Sequence, residues 1–447
     1  MRPLLLFLAV VLAFFAILKF YPAGQEGEVV GAAPNGQAGF LERPAGATLP
    51  ARPAAQSSAG PARSLPDPRS EAPSNGASGP ASSAPTWLDD FEGVAQAGPE
   101  EIELARAMVH ERCAALEERI ERLGAALSED RGRAILAFGR AYRGDLAGAR
   151  TVAQGIRGAL PELDERFLRA QMEGTRPPLR PVSALAHGPL ALAMSMLAAE
   201  QLVLDDLAAK GWPQAVTGLS DLLLAELDAP WQPSRARVLD WAQRLNEAQE
   251  RHRWNPRGAW PHAEVVVERG DSLSSVLARY RREHPNRRIS SGLVAHVNGI
   301  QGDLIHPGDV LRVPTEEVSV RVDIDLRMLF VLMGDEVAAA WECAVGAAGQ
   351  ETIPGRYAAG AFEKDPWHFP KGQAPVPFGD PQNPLGSRWI AWWDADGTEN
   401  NLSLGFHGTN QANTVGTAAS RGCVRLHNAD VELLYALLPR FAPILVE

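Results

Sequence analysis

Near the carboxyl end a histidine and a cysteine each stand beside glycine, in Phe406-His407-Gly408-Thr409 and in Ser420-Arg421-Gly422-Cys423-Val424-Arg425. A thiol near its free pKa is only slightly ionised at neutral pH, so a cysteine nucleophile needs an imidazole to take or share its proton. His407 is the candidate for that task, and the pair reads as an activated thiolate suited to acyl transfer through a thioester. Gly422 lets backbone amides approach a reacting carbonyl, which makes the amides of Gly422 and Cys423 candidate oxyanion donors. His427 is a rival base, but it lacks a flanking glycine and stands where a helix running to Leu438 opens. A lone cysteine after glycine is more often a buried structural residue. What distinguishes Cys423 is the length of the pattern around it.

The stretch F-H-G-T-N, V-G and S-R-G-C-V-R-L resembles the signature of the YkuD-type L,D-transpeptidases, over roughly residues 318–447. Thr352-Ile353-Pro354-Gly355-Arg356-Tyr357 is similar to the family's T-P-x-G-x-F segment with its proline one place late, and Asn383-Pro384-Leu385-Gly386-Ser387-Arg388-Trp389-Ile390 resembles its N-P-L-G-x-x-W-I segment. The family often has histidine where Arg421 stands here. The resemblance implies Cys423 as nucleophile and His407 as base, with the Gly408 carbonyl orienting the imidazole as a triad's third member does. On the substrate side it implies Arg425, binding a carboxylate or bracing the loop, and Ser420, supporting the loop rather than reacting. The implied reaction is attack by Cys423 on the bond between diaminopimelate and D-alanine of a tetrapeptide stem. An acceptor amine then completes a peptidoglycan cross-link. Water as acceptor would make the protein an L,D-carboxypeptidase, and a lysine of an envelope protein would make it an anchoring enzyme. A reading of another class is a non-catalytic wall-binding scaffold.

The elements that would position these residues are legible upstream. Val318–Asp325 alternates apolar and polar residues as a half-buried strand does, and Met328–Met333 continues as a second strand before a Gly334-Asp335 turn. Ala263–Val267 reads as a strand, and Gly270-Asp271-Ser272-Leu273 opens a helix to Glu283 with Asp271 or Ser272 as its cap. A second short helix ends at Asn298-Gly299, and Pro307-Gly308-Asp309-Val310-Leu311 leads to a closing strand. The G-D-S-L, V-N-G and P-G-D-x-L elements in that order resemble a LysM domain at 263–314. The resemblance implies binding of N-acetylglucosamine-containing glycan at Gly270, Asp271, Ser272, Leu273, Asn298, Gly299 and Ile300, against the plainer alternative that the module only packs on its neighbour.

Within 100–256 the pattern is helical: Val109, Cys113, Leu116, Ile120, Leu123 and Leu127 mark one buried seam at alternating steps of four and three. Turn glycines followed by alanine at Gly144–Ala149 and Gly211–Ala215 suggest helix–turn–helix pieces without a clear repeat. An irregular helical domain is expected, with docking of a protein partner as a possible task.

The fold class expected is multidomain α+β: an α-helical domain, a βααβ LysM module and a mostly β catalytic domain. Leu4–Leu18 is a continuous apolar run between Arg2 and Lys19, read as a signal anchor at 1–21 that faces the rest of the chain toward the periplasm and cell wall. Residues 22–99, rich in Pro, Ala, Gly and Ser through residue 86, read as a disordered tether. A net charge of −11 argues against nucleic acid as a partner. No metal-ligand spacing, Walker loop or dinucleotide loop appears, so neither metal nor cofactor is expected. Cys113 and Cys343 are available for a disulfide that spacing alone does not decide.

Overall fold

The computed structural model describes residues 97–447 apart from 124–126, 178, 303, 371 and 401–402. The expected anchor and nearly all of the tether lie outside the described residues. Among the described residues no helix is long and apolar enough to cross a membrane.

The amino-terminal part is helical: α1 (Pro99–His110), α2 (Leu116–Leu123), α3 (Glu129–Tyr142), α4 (Leu146–Ala153), α5 (Glu162–Glu173), α6 (Pro181–Ala184), α7 (Pro189–Ala208), α8 (Trp212–Leu227) and α9 (Arg235–Arg251). Local chemistry sets several of these boundaries. The Ser128 hydroxyl accepts from the Arg131 amide at 3.3 Å and the Asp145 carboxylate from the Gly148 amide at 2.8 Å, each satisfying an amide that a helix start leaves open. The expected helix–turn–helix pieces are the α3–α4 and α7–α8 corners, where Ala149 and Ala215 are fully buried. The seam from Val109 to Leu127 is not one helix. Arg112, Cys113 and Ala115 take positive φ of 49°, 59° and 53°, which breaks the chain between α1 and α2. Val109, Cys113 and Leu116 still enter one core, because the turn returns α2 to the same partners.

Next come β1 (His262–Val266), α10 (Leu273–Glu283), α11 (Ser291–Asn298) and β2 (Val310–Pro314), with β1 and β2 antiparallel. This is the expected βααβ order. Ser272 caps α10 in a reciprocal box with Ser275, at 3.2 and 2.9 Å. Module and catalytic part are in close contact: a Cβ on Gly292 of α11 would lie 2.6 Å from the Ala436 carbonyl oxygen. Leu293 and Val297 enter the catalytic core beside Trp254 and Trp260.

The remainder is β-rich: β3 (Val318–Asp323), β4 (Met328–Met333), β5 (Glu336–Glu342), β6 (Val345–Gly346), β7 (Gly355–Lys364), β8 (Arg388–Asp394), β9 (Gly405–His407), β10 (Ala418–Ser420), β11 (Val424–Arg425), α12 (Asn428–Leu437) and β12 (Pro443–Val446). Eight strands form one sheet in the order β11-β9-β8-β7-β12-β3-β4-β5. β4 is buried along its whole length. Its Leu329, Val331 and Met333 enter the catalytic core, and its Met328, Phe330 and Leu332 pack with the helices.

Covering by helices also corrects the expectation for β3, which is not half-buried. Ser319 and Arg321, its polar positions, are 2% and 5% exposed. Arg321 tolerates this because it pairs with Asp228, just past α8, at 2.7 Å and with Glu447. Cys113 and Cys343 are free thiols in two different cores, and burial pushes both up, Cys113 to about 12.

The edge strand β5 is finished by helix side chains. The Val337 amide donates to Ser220 Oγ at 2.8 Å, and Gln249 Nε2 donates to the Val337 carbonyl at 3.1 Å. Asn246 Nδ2 donates to the Ala340 carbonyl at 2.7 Å while its Oδ1 accepts from the Ala340 amide at 3.1 Å. These bonds replace the strand that would otherwise pair there. Asn246→Leu leaves both Ala340 groups without partners and is expected to lower unfolding free energy by about 2 kcal/mol, measured by urea denaturation. An unchanged midpoint would mean that the edge does not need the asparagine.

Candidate active site

Cys423 directly precedes β11, and β11 lies parallel to β9 with Val424 opposite Phe406 and Arg425 opposite His407. The register brings the two glycine-flanked segments of the sequence side by side. His407 also faces Trp389 of β8, and the two rings stack at 5.9 Å. On its other side the imidazole Nδ1 lies 2.6 Å from the Gly408 carbonyl. An N–H on Nδ1 satisfies that contact and leaves Nε2 as the basic nitrogen. The orienting carbonyl inferred from the sequence is in reach.

The electrostatics differ from the expectation of a resting thiolate. Burial pushes His407 down to about 4, the Gly408 carbonyl pulling the other way and the Arg425 charge adding to the fall. Burial likewise raises the Cys423 thiol, against smaller lowering by the Gly405 backbone and Arg425. Both groups are therefore neutral at pH 7, since desolvation penalises the charged form of each. In this conformation the thiol donates to the Ser403 carbonyl at 3.7 Å.

Ser420 is buried and holds the cysteine loop. Its hydroxyl donates to the Cys423 carbonyl and accepts from the Gly422 amide at 3.1 Å. The Gly422 amide, an expected oxyanion donor, is thus engaged within the loop, and Gly422 itself takes φ of 106°, which glycine alone adopts without strain. Arg425 is half-buried, burial lowers its pKa, and its Nε has no hydrogen-bond partner. His427 is exposed at the N-cap of α12.

Asn428 was read from the sequence only as a helix residue. Its Oδ1 accepts from the Ser387 amide at 3.2 Å and the Thr409 amide at 3.1 Å, and its Nδ2 donates to the Thr409 carbonyl at 3.2 Å. A Cβ on Gly386 or Gly408 would lie 2.2 or 2.1 Å from that Oδ1. The two glycines exist to admit one side chain, which fastens the N-P-L-G segment to the H-G-T segment. Their presence in both motifs was the available signal. His368 was also missed; its charge would add to that of Arg425 in lowering His407. It sits on the segment between β7 and β8, which is closed by a His368–Val376 bridge and by Asn383 Nδ2 donating to the Pro366 and Val376 carbonyls. Trp367, Phe369 and Phe378 are exposed on that segment.

The glycan-side residues fare differently. Leu273 is buried in the LysM core, and Asn298 spends its amide on the Val294 and Arg312 backbones. Asp271 accepts from the Glu268 amide at 2.9 Å and pairs with Arg279. Gly270, Ser272 and Gly299 are exposed, and Ile300 is half-buried.

His407 supplies a sharp measurement. Its lowered pKa means that the neutral ring persists below the ordinary value and is lost only as pH falls through about 4. Ring-nitrogen NMR should show His407 neutral at pH 5.5, with a midpoint near about 4; a midpoint above 6 would contradict the burial described. By linkage, the native state loses stability as pH falls below the unfolded value, because only the unfolded chain takes up that proton.

Comparison with known proteins fits this geometry. Residues 317–446 match the YkuD family of L,D-transpeptidase catalytic domains, and residues 265–314 match the LysM domain. YqjB of Bacillus subtilis, provisionally named as an L,D-transpeptidase, is 34% identical over 111 residues, which is 25% of this chain and 60% of that protein. YkuD of Bacillus licheniformis, named in the same provisional way, is 25% identical over 179 residues, covering 39% of this chain and 92% of that one. A solved L,D-transpeptidase from Mycobacterium smegmatis is 20% identical and covers 31% of this chain and 63% of that one, with a TM-score of 0.25, too slight a superposition to carry weight. The chain carries a LysM domain followed by an L,D-transpeptidase catalytic domain of the YkuD family.

Proposed function

We propose that the protein is a peptidoglycan L,D-transpeptidase of the cell envelope in which Cys423 is the nucleophile and His407 the base. What supports this reading is the β9–β11 register, which sets the strand that follows Cys423 beside the strand ending in a buried, neutral imidazole held through Nδ1. A neutral imidazole is the form that accepts a proton, so the thiol loses its proton as sulfur attacks the carbonyl between diaminopimelate and D-alanine. His407 then returns the proton to the departing D-alanine amine, leaving a thioester. A second amine, from a neighbouring diaminopimelate, attacks that thioester and forms the cross-link.

The Gly422 amide is held by Ser420, so the Cys423 amide is the backbone donor left to meet the developing oxyanion. Arg425 binds a stem carboxylate. A buried guanidinium Nε without a partner is a donor that lacks its acceptor, which favours this role over bracing. The LysM module supplies glycan affinity through Gly270, Ser272, Gly299 and Ile300.

Purified disaccharide-tetrapeptide incubated with the protein should yield a dimer lacking one D-alanine by mass spectrometry, and Cys423→Ala should abolish it while retaining the fold. Release of D-alanine without dimer would identify an L,D-carboxypeptidase instead, and turnover retained by Cys423→Ala would sink the cysteine assignment. For the glycan, soluble N-acetylglucosamine oligomers should shift backbone NMR signals of Gly270–Ser272 and Gly299–Ile300. Deleting the module is the poorer test, because it also strips Leu293 and Val297 from the catalytic core. Unshifted signals at saturating oligomer would remove the glycan role.

A further inference from the structure

A chain of net charge −11 places five arginines within Arg279–Arg288, with Glu283 the one carboxylate among them. Arg279 is spent on Asp271. The other four have no carboxylate partner among the described residues: Arg281 donates to the Ile289 carbonyl, Arg287 to the Thr315 carbonyl and Arg288 to the Phe441 carbonyl, and Arg282 is exposed and bonds to nothing. Arg440 of the catalytic part joins them, stacked over Trp393 at 4.7 Å and over the same Phe441 at 5.1 Å. A backbone carbonyl or a ring face leaves a guanidinium its full charge. Arginines elsewhere are matched: Arg112, Arg180, Arg235 and Arg237 each pair with a carboxylate. Glu283 and Asp396 border the group without pairing to it. The result is a patch of uncompensated positive charge that straddles the LysM module and the catalytic part, with Phe441, 38% exposed, lying within it.

The place of the patch in the fold limits what can reach it. α10 runs about 16 Å from its Ser272 cap, where the implied glycan residues stand, to Glu283 beside Arg282. α11 starts next to Arg288, where Ser290 Oγ donates to the Ala436 carbonyl, and ends at Gly299. α12 ends there too, at Leu437, and begins at Asn428, which holds the His407 loop. Each of the three helices thus has the patch at one end and a proposed site at the other, so neither the glycan nor the stem peptide held in those sites covers the arginines. An exposed phenylalanine among arginines suits the headgroup layer of a bilayer, where guanidiniums meet phosphates and the ring reaches the acyl boundary. A soluble polyanion would use the charge and leave the ring in water.

We propose that this face is a docking surface for an anionic phospholipid bilayer, with Arg281, Arg282, Arg287, Arg288 and Arg440 on lipid phosphates and the Phe441 ring among the headgroups. Docked in this way, the protein turns the glycan residues and Cys423 away from the lipid. That orientation rests on the roles proposed above; the docking surface itself does not.

Every residue of the three hydrophobic cores lies between Leu104 and Val446. Residues 97–447 therefore carry the whole packed fold and are the protein for the test, free of the apolar run Leu4–Leu18 as a source of lipid binding. Co-sedimentation should show binding to vesicles of phosphatidylcholine with about a third phosphatidylglycerol, none to phosphatidylcholine alone, and a fall in binding as salt shortens the range of the attraction. Arg282→Gln, which removes no bond from the fold, and Arg287→Gln should each weaken binding about fivefold, and Glu283→Gln should strengthen it. Phe441→Asn keeps a residue that tolerates the φ of 64° at that position and should weaken vesicle binding while leaving binding of linear polyphosphate unchanged. Equal binding to both vesicle types, or indifference to Arg282→Gln and Glu283→Gln, would overturn the proposal. Vesicle binding indifferent to Phe441→Asn and displaced by polyphosphate would also overturn it, marking the partner as a soluble polyanion.

Discussion

A strand that is apolar on both faces has to be covered twice. Met328–Met333 is such a strand, and the architecture follows from satisfying it: the catalytic core takes Leu329, Val331 and Met333, and the helices take Met328, Phe330 and Leu332. The helical layer is therefore part of the catalytic unit's folding and not an appendage that happens to precede it. Its side chains also terminate the sheet, at Ser220, Asn246 and Gln249, where an open strand edge would invite pairing with another chain.

At the opposite end of the sheet the same economy recurs around a single amide side chain. Asn428 holds the backbones on either side of His407's loop, and its two short contacts account for two motif glycines at once. Burial then sets the chemistry. A histidine and a thiol withdrawn from water do not exchange a proton at rest, so the site holds neutral partners; in the proposed reaction they ionise only as sulfur meets a carbonyl.

Much of this was legible in the sequence, unevenly. β4 and the two LysM helices were legible because their signals are local: an apolar run between turns, a serine cap, a glycine at a helix end. The chemistry-bearing residues were legible as types and spacing. The burial of Ser319 and Arg321 was not, because alternation reports two unlike faces and cannot report that a distant helix with Asp228 beside its end covers the polar one. The break between α1 and α2 was invisible for a related reason: the seam keeps its period while three residues adopt left-handed backbone that their types do not announce. Asn428 looked like one more polar residue at a helix start, its role depending on loops far away in the chain.

The glycine-to-alanine contact between α11 and α12 has a wider reach than packing. Ala436 lies near one end of a ten-residue helix and Asn428 begins the other. That helix is about 15 Å long. One side of it is pressed against the LysM module, and its first side chain pins the loop that carries His407. On the proposed roles, whatever the module grips is held at a set span from the Cys423 sulfur, as in the jaws of a calliper. A flexible joint would let the site sample many positions along a strand; a rigid one would select the position before any chemistry begins.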